Sequence, residues 1–179
     1  MRRSRLHITG ASGSGTTTLA RAVADAWAVP HVDADDYFWL PTDPPYVHKR
    51  PEGERLALMD QVFLPREAWV ISGSMLGWGD SVVARCDAVV FLALDPSERM
   101  RRIEAREHVR RAGGPVDEEA LRTFLAWARG YDDPSFEGRS RAGHEDWLAT
   151  LSCPILRLDS SLSREALRDE VLAWLPVPS

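Results

Sequence analysis

The most telling stretch of this chain runs Gly10-Ala11-Ser12-Gly13-Ser14-Gly15-Thr16-Thr17-Thr18. It follows the pattern G-x-x-x-x-G-K-[ST], which predicts a loop that binds phosphate through its backbone N–H groups. Ahead of it, Leu6–Thr9 favours a short buried strand, and behind it Leu19–Trp27 has the apolar spacing of a helix. A strand, a glycine-rich turn and a helix are the context in which this pattern is specific.

One residue of the loop departs from the pattern, because Thr16 stands where lysine is expected. The lysine would place a positive charge at the β- and γ-phosphates, where charge shifts during phosphoryl transfer. Losing one such contact typically costs about 10²–10³ in rate, so we expect transfer to suffer more than binding. Thr17 remains at the position whose hydroxyl meets Mg²⁺. Lys49 is the only lysine among the 22 basic residues, a bias that does not account for threonine at position 16.

The rest of the chain alternates strand and helix patterns, which predicts an α/β fold with a parallel sheet covered on both faces. The 179 residues, 44% of them hydrophobic, suit a single domain over residues 1–179. The predicted strands are Leu6–Thr9, Pro30–Asp33, Trp69–Ser72, Ala88–Leu94 and Pro154–Leu158. The predicted helices run from Gly15 to about Ala28, Pro51 to Leu64, Asp95 to Arg111, Asp117 to Arg129, Ala142 to Leu151 and Ser163 to Leu175.

Composition excludes several classes of function. A net charge of −5 argues against a nucleic-acid binder. No apolar run reaches the roughly 18 residues of a membrane helix, so no membrane partner is expected. The basic N-terminus leads directly into the first strand and not into a signal-peptide apolar region, which indicates a cytoplasmic protein. Cys86 and Cys153 are predicted to be buried free thiols.

On these motifs the chain resembles a P-loop kinase of the adenylate-kinase-like group, which includes nucleoside monophosphate kinases, shikimate kinases and topology modulation proteins. The resemblance spans nearly the whole chain and rests on Gly10–Thr18, Asp33–Asp35, Trp69–Ser74 and Arg102–Arg106. It implies a three-layer P-loop NTPase fold with a five-stranded parallel sheet in the order 2-3-1-4-5 and helices on both faces. It also implies ATP and Mg²⁺ as cofactors, an acceptor-binding insertion at about residues 34–64 and a lid at about residues 99–141.

Carboxylates follow the second predicted strand, at the edge where α/β sheets place ligands. Asp35 is the candidate acceptor binder or general base, and with Thr17 it is the candidate Mg²⁺ ligand. All nine loop residues, Gly10 to Thr18, are candidates for nucleotide binding. The alternative is that Asp33 and Asp36 shape a turn or cap a short helix.

Arginines mark the predicted lid. Arg99, Arg102, Arg106 and Arg110 share one helix face, ahead of a flexible tip at Gly113-Gly114. One interpretation is a lid that clamps phosphates; the other is a surface helix with Glu98–Arg102 and Glu107–Arg111 pairs. The resemblance implies that Arg102 stacks on adenine and that Arg106 binds phosphate. Arg139 and Arg141 are candidates for the second side of the clamp.

Three further segments are open to two interpretations. The aromatic run Tyr37–Leu40 either stacks on a flat acceptor or packs under a long loop. Lys49-Arg50 is either a solvated pair or closes over the acceptor. Ser72–Ser74 is either a tight turn or a place where a ligand approaches the backbone.

Three functions are compatible with the sequence. The first is an ATP-dependent kinase, a monomer or homodimer, that acts on a nucleoside triphosphate and a small-molecule acceptor. The second is a nucleotide-binding regulator or slow NTPase without kinase activity. The third is a binding module of another class that keeps only the fold. For the first, the missing charge of Thr16 has five candidate replacements: Lys49, Arg102, Arg106, Arg139 and Arg141.

Overall fold

A computed structural model describes residues 1–43, 45–111 and 117–176. Within these ranges a five-stranded sheet forms the centre of the molecule. Its strands are β1 Arg5–Gly10, β2 His31–Asp33, β3 Trp69–Ser72, β4 Ala88–Ala93 and β5 Ile155–Asp159. The four strand pairs are parallel and the order is β2-β3-β1-β4-β5, which confirms the predicted sheet.

Eight helices lie in the described ranges: α1 Thr16–Trp27, α2 Ala34–Phe38, α3 Glu52–Val62, α4 Asp80–Val83, α5 Pro96–Arg111, α6 Glu118–Gly130, α7 Arg141–Ala149 and α8 Arg164–Ala173. The six long helices begin and end within a few residues of their predicted ends. The short helix α2 is capped by Asp33, whose side chain accepts a hydrogen bond from Asp35 N. The four-residue α4 has no counterpart in the sequence prediction. None of these helices combines the length and hydropathy of a membrane span.

The side chains of β1 alternate between the two faces of the sheet, since successive residues of a strand point in opposite directions. Leu6 and Ile8 face α1 and α8 and pack against Leu19 and Leu167 in a fully closed core. Full burial of each such side chain stabilises the folded state by roughly 1.5–3 kcal/mol.

The opposite face of the sheet carries a second core. There Ile71 and Phe91 pack with Phe63 after α3 and with Trp147 of α7. Because helices close both faces, the predicted three-layer arrangement is confirmed.

Parallel register brings the carboxyl ends of the strands to one edge of the sheet. Ile8 lies opposite Ser72 of β3, and Ser72 lies opposite Asp33 of β2. Gly73 N then donates to Ile8 O at 3.1 Å, which holds the turn after β3 against β1. The segments that follow β1, β2 and β3 therefore meet where α/β sheets place their ligands.

Both cysteines are free thiols, as predicted. Cys86 is buried, and burial raises the pKa of its thiol. Cys153 is only half-buried, contrary to the expectation, because it precedes the outermost strand β5, which has a neighbour on one side only.

Candidate active site

The loop after β1 has the shape that its glycines permit. Gly13 has a φ of +85°, and a Cβ there would lie 2.9 Å from Arg99 O, so only glycine fits. Ser14 N and Ser14 Oγ both donate to Ala11 O, at 3.1 and 2.8 Å. Ser160 Oγ, after β5, donates to Ser14 O. Internal bonds thus fix the loop without any ligand.

Helix α1 begins directly behind the loop, with Gly15 as its first flanking residue and no side chain capping its N–H groups. Unsatisfied N–H groups at a helix start favour an anion, since they point at it and the helix dipole adds to their attraction. Thr16, Thr17 and Thr18 form the start of this helix and bring no charge of their own. The first turn therefore has the geometry of an anion site, and it lacks the lysine that the loop pattern places there.

Thr17 lies beside a carboxylate. Its Oγ1 donates to Asp33 Oδ2 at 3.0 Å, and Asp33 Oδ1 accepts from Asp35 N at 3.1 Å. Asp33 is the last residue of β2, so the sheet and the cap of α2 both fix its position. A hydroxyl and a carboxylate held together are ligands of the kind that Mg²⁺ takes in proteins.

Asp35 is the second residue of α2 and is exposed. Partial desolvation, with a contribution from the negative charge of Asp33, raises the pKa of Asp35. A raised pKa suits a group that accepts a proton. The direct contact to Thr17 is made by Asp33, which also caps α2, as one interpretation of the sequence predicts. That Asp33 and Asp35 together hold Mg²⁺ stays a prediction.

Arg139 reaches the loop from the segment between α6 and α7. Its Nη2 donates to Ser12 Oγ at 2.9 Å, and its guanidinium lies 4.9 Å from the centre of the Trp127 ring. Its Nε is fully buried and has no hydrogen-bond partner among the described residues. Burial lowers the pKa of Arg139, while the charge of Asp35 opposes that change.

Arg99 of α5 contacts the same loop residue from another side. It is 1% exposed, and its Nη1 donates to Ser12 O at 3.3 Å. Its Nη2 donates to Ala128 O and to Asp132, both at 2.8 Å. The sequence placed Arg99 on a helix stripe but gave no signal that it would be buried, because its acceptors lie far along the chain.

Arg141, predicted as part of the clamp, is held by the same carboxylate as Arg99. Its Nε and Nη2 donate to Asp132 Oδ1 at 3.1 and 2.7 Å. The structure therefore separates the two predicted clamp arginines: Arg139 contacts the loop, and Arg141 pairs with Asp132.

The other two predicted arginines lie on α5. Arg102 pairs with Glu98 at 2.9 Å, as the helix spacing predicts, and donates to Ser160 O at 3.1 Å. Arg106 pairs with Glu107 at 3.2 Å. The predicted lid tip at Gly113-Gly114 lies outside the described residues.

Two buried histidines hold the turn after β3. Gly73 has a φ of +104°, and its carbonyl accepts a 2.7 Å bond from His7 Nε2. Ser74 Oγ lies 3.2 Å from His144 Nε2, while His144 Nδ1 bonds the Tyr131 hydroxyl at 2.9 Å. Burial lowers the pKa of His7 to about 4 and that of His144 to about 3, so both are neutral. Sequence reasoning singled out neither histidine.

Backbone pairing joins the two ends of the segment that follows α2. Trp39 and Lys49 make an antiparallel bridge, and Lys49 Nζ lies 5.7 Å from the centre of the Phe38 ring. Phe38 also packs edge-on against Trp78, and the centre of its ring lies 4.0 Å from the Arg55 guanidinium carbon. Of the two interpretations of the aromatic run, the structure favours packing.

The sheet order, the glycine-rich loop and the helix that follows define the fold of the P-loop kinases. Solved structures of similar fold include a gluconokinase from Sinorhizobium meliloti 1021, with a TM-score of 0.54 and 20% identity over 97% of this chain and 92% of that one. A shikimate kinase from Bacteroides thetaiotaomicron has a TM-score of 0.55 and 19% identity over 94% of this chain and 96% of that one.

The sequence comparison is more specific. The chain is 40% identical over 175 residues to "Uncharacterized protein YqaC" of Bacillus subtilis (strain 168), covering 95% of this chain and 96% of the relative, and it belongs to the same family. It is also 30% identical over 114 residues to a cytidylate kinase of Archaeoglobus fulgidus, which covers 58% of this chain and 62% of that protein. No profile of a known protein family matches the chain.

Proposed function

We propose that this protein is an ATP-dependent phosphotransferase that moves the γ-phosphoryl group of ATP to a small-molecule acceptor. The 3.0 Å contact between Thr17 Oγ1 and Asp33 Oδ2, beside the glycine-rich loop, is the observation that carries the proposal. A loop that served only as a turn would not need a hydroxyl and a carboxylate aligned at its helix start.

The nucleotide would bind with its phosphates on the N–H groups of the loop and of the first turn of α1. Arg102, held beside Ser160, is the residue proposed to stack on adenine, and Arg106 is proposed to contact phosphate. Thr17 and Asp33 would hold Mg²⁺, with Asp35 as a further candidate ligand. Bound there, Mg²⁺ would supply positive charge that stabilises the phosphate oxygens as their charge increases.

The acceptor would lie between Asp35 and the turn at Gly73-Ser74. Its nucleophilic oxygen forms a bond to the γ-phosphorus while the bond from that phosphorus to the β–γ bridging oxygen breaks. The bridging oxygen keeps the bonding electrons and leaves as part of ADP. Where the acceptor is a hydroxyl, its proton passes to the Asp35 carboxylate, which the raised pKa of Asp35 favours.

The names of the similar proteins support a small-molecule acceptor, either a hydroxylated metabolite or a nucleotide, because they include gluconokinase, shikimate kinase and cytidylate kinase. We also propose that the protein works in the cytoplasm, since the reaction consumes ATP, and that it is a monomer or homodimer.

A second candidate is a nucleotide-binding regulator or slow NTPase. Thr16 favours it, because a loop without lysine keeps its backbone cradle but loses a charge that acts on the transferred phosphoryl group.

Turnover measurements separate the two candidates. ADP formation is followed with MgATP and a panel of nucleosides, nucleotides and hydroxylated metabolites. We expect an acceptor that stimulates turnover, and a loss of about 10²–10⁴ in that rate for Asp35→Asn. Asp25→Asn, an exposed carboxylate near the far end of α1, is the matched control.

Two results would reject the proposal. If the protein binds ATP, no acceptor stimulates turnover and Thr16→Lys creates none, the regulator is the better description. If millimolar MgATP does not raise the melting temperature, neither candidate holds, because a ligand that binds only the folded state must stabilise it.

A further inference from the structure

We propose that Arg139 supplies, from outside the loop, the positive charge at the nucleotide's terminal phosphate that the P-loop lysine provides elsewhere and that Thr16 cannot. This inference rests on the proposed binding of a nucleoside triphosphate. It makes the preference for ATP over ADP depend on the segment between α6 and α7.

Position is the first support. Arg139 Nη2 lies 2.9 Å from Ser12 Oγ, although 127 positions separate the two residues in sequence. Ser12 is inside the glycine-rich loop, and Asp35, the proposed acceptor-side group, is close enough for its charge to act on Arg139. The guanidinium therefore lies between the phosphate cradle and the acceptor side.

The second support is that the charge of Arg139 is unmatched. Within residues 1–43, 45–111 and 117–176, no carboxylate lies within ion-pair distance of its guanidinium. Its Nε is buried without a partner, and the Trp127 ring covers the guanidinium at 4.9 Å. Holding a partly buried cation without a carboxylate in ion-pair contact costs free energy, which an anionic ligand would recover.

The third support is that the other candidate cations already have partners in the described structure, and Arg106 would have to leave Glu107 to make the phosphate contact proposed above. Arg141 bonds Asp132, Arg102 bonds Glu98, Arg106 bonds Glu107, and Lys49 lies over Phe38.

The chemistry of the group fits the ligand. Guanidinium offers planar paired donors that match two phosphate oxygens, whereas an ammonium acts as a point charge. Of the Arg139 donors, Nη1 makes no hydrogen bond in the described structure, and Nη2 carries a second N–H besides the one that donates to Ser12 Oγ, so Nη1 and Nη2 can form such a pair. We therefore expect it to contact the γ-phosphate, which ATP has and ADP lacks.

Calorimetric titration with two probes tests this without any acceptor. Mg²⁺ with the non-hydrolysable analogue AMP-PNP carries the third phosphate, and MgADP does not. In Arg139→Gln we expect AMP-PNP affinity to fall about tenfold to a hundredfold and ADP affinity to change by less than about threefold. Adding Thr16→Lys to that variant should restore most of the loss. Arg129→Ala, an exposed arginine paired with Glu104 at the end of α6, is the matched control.

The outcomes are distinguishable. If wild type binds neither probe, the proposed function fails. If wild type binds both and Arg139→Gln keeps the same ratio of affinities, the role of Arg139 is overturned while the proposed function stands. Should Arg139→Gln not fold, Arg139→Lys decides: it keeps one charge but no planar pair, so an intermediate ratio supports the proposal and an unchanged ratio overturns it.

Discussion

Ser12 is held from two sides by two arginines whose surroundings differ. Arg99 Nη1 donates to the Ser12 carbonyl, and Arg139 Nη2 donates to the Ser12 hydroxyl. Arg99 is almost fully buried and its charge is met by Asp132 at 2.8 Å. Arg139 meets no carboxylate at that range in the described part of the chain. The comparison separates a charge that belongs to the folded structure from one that the fold leaves available to a ligand.

Replacing either arginine by methionine tests this comparison, and the change at Arg99 should have the largest effect on stability of the variants considered. Arg99→Met removes one partner of a buried pair and should lower the free energy of unfolding by about 3–5 kcal/mol. Arg139→Met removes a charge without a counter-ion and should change it by less than about 1 kcal/mol. Urea unfolding of the two variants and wild type measures both values. Equal losses would mean that Arg139 is as structural as Arg99.

Lowering the pH tests a buried group that is uncharged in the folded protein. His7 has a pKa of about 4 in the folded protein and about 6.5 when unfolded, so the unfolded state binds more protons between these values. The contribution of His7 to the free energy of unfolding should therefore be constant above about pH 6.5 and fall by about 3 kcal/mol as the pH drops to about 4. Urea unfolding across this range measures it.

The control for this experiment is His7→Gln, which keeps a donor for Gly73 O but does not titrate in this range. Its unfolding free energy should depend less on pH than that of wild type. If the two pH profiles are parallel, His7 is not a source of the acid sensitivity.

Variants of Asp132 and Arg141 show which of the two arginines bound to Asp132 depends more on its charge for stability. Asp132→Asn leaves buried Arg99 without a counter-ion and should cost about 2 kcal/mol. Arg141→Met removes the exposed partner, whose side chain is 46% accessible, and should cost less than about 1 kcal/mol. Thermal unfolding of both variants is the measurement, and a larger loss for Arg141→Met would contradict the assignment of Asp132 to Arg99.

Lys49 gives the smallest expected effect and tests the remaining candidate cation. Lys49→Met removes an exposed ammonium 5.7 Å from the centre of the Phe38 ring, so it should cost less than about 1 kcal/mol of stability. The ratio of AMP-PNP to ADP affinity should stay at the wild-type value. A change in that ratio as large as that expected for Arg139→Gln would show that Lys49, and not Arg139, supplies the phosphate charge.

Much of the fold is predictable from sequence because its signals are local. The strand order follows from the resemblance, and the start of α5 follows from Asp95, whose Oδ1 accepts from Ser97 N and Glu98 N. The Glu98–Arg102 pair follows from helix spacing alone. The start of α5 and the Glu98–Arg102 pair each depend on residues within a few positions of one another.

The site is less predictable because its contacts span the chain. His7 bonds Gly73, and Thr17 contacts Asp33 in preference to the predicted Asp35. The partner of Thr17 depends on where β2 ends relative to α1, which sequence spacing does not fix. Arg139 was one of five candidate cations in the sequence, and only tertiary packing distinguishes it from the others.

The bond from Ser160 Oγ to Ser14 O has a consequence for the order of assembly. The loop lies near the start of the chain, but the hydroxyl that holds its carbonyl follows the last strand. During synthesis we therefore expect the loop to lack its final shape until nearly the whole chain has emerged, because β5 must first pair with β4. Truncation before Ser160 would leave the loop sequence intact and its geometry unfinished.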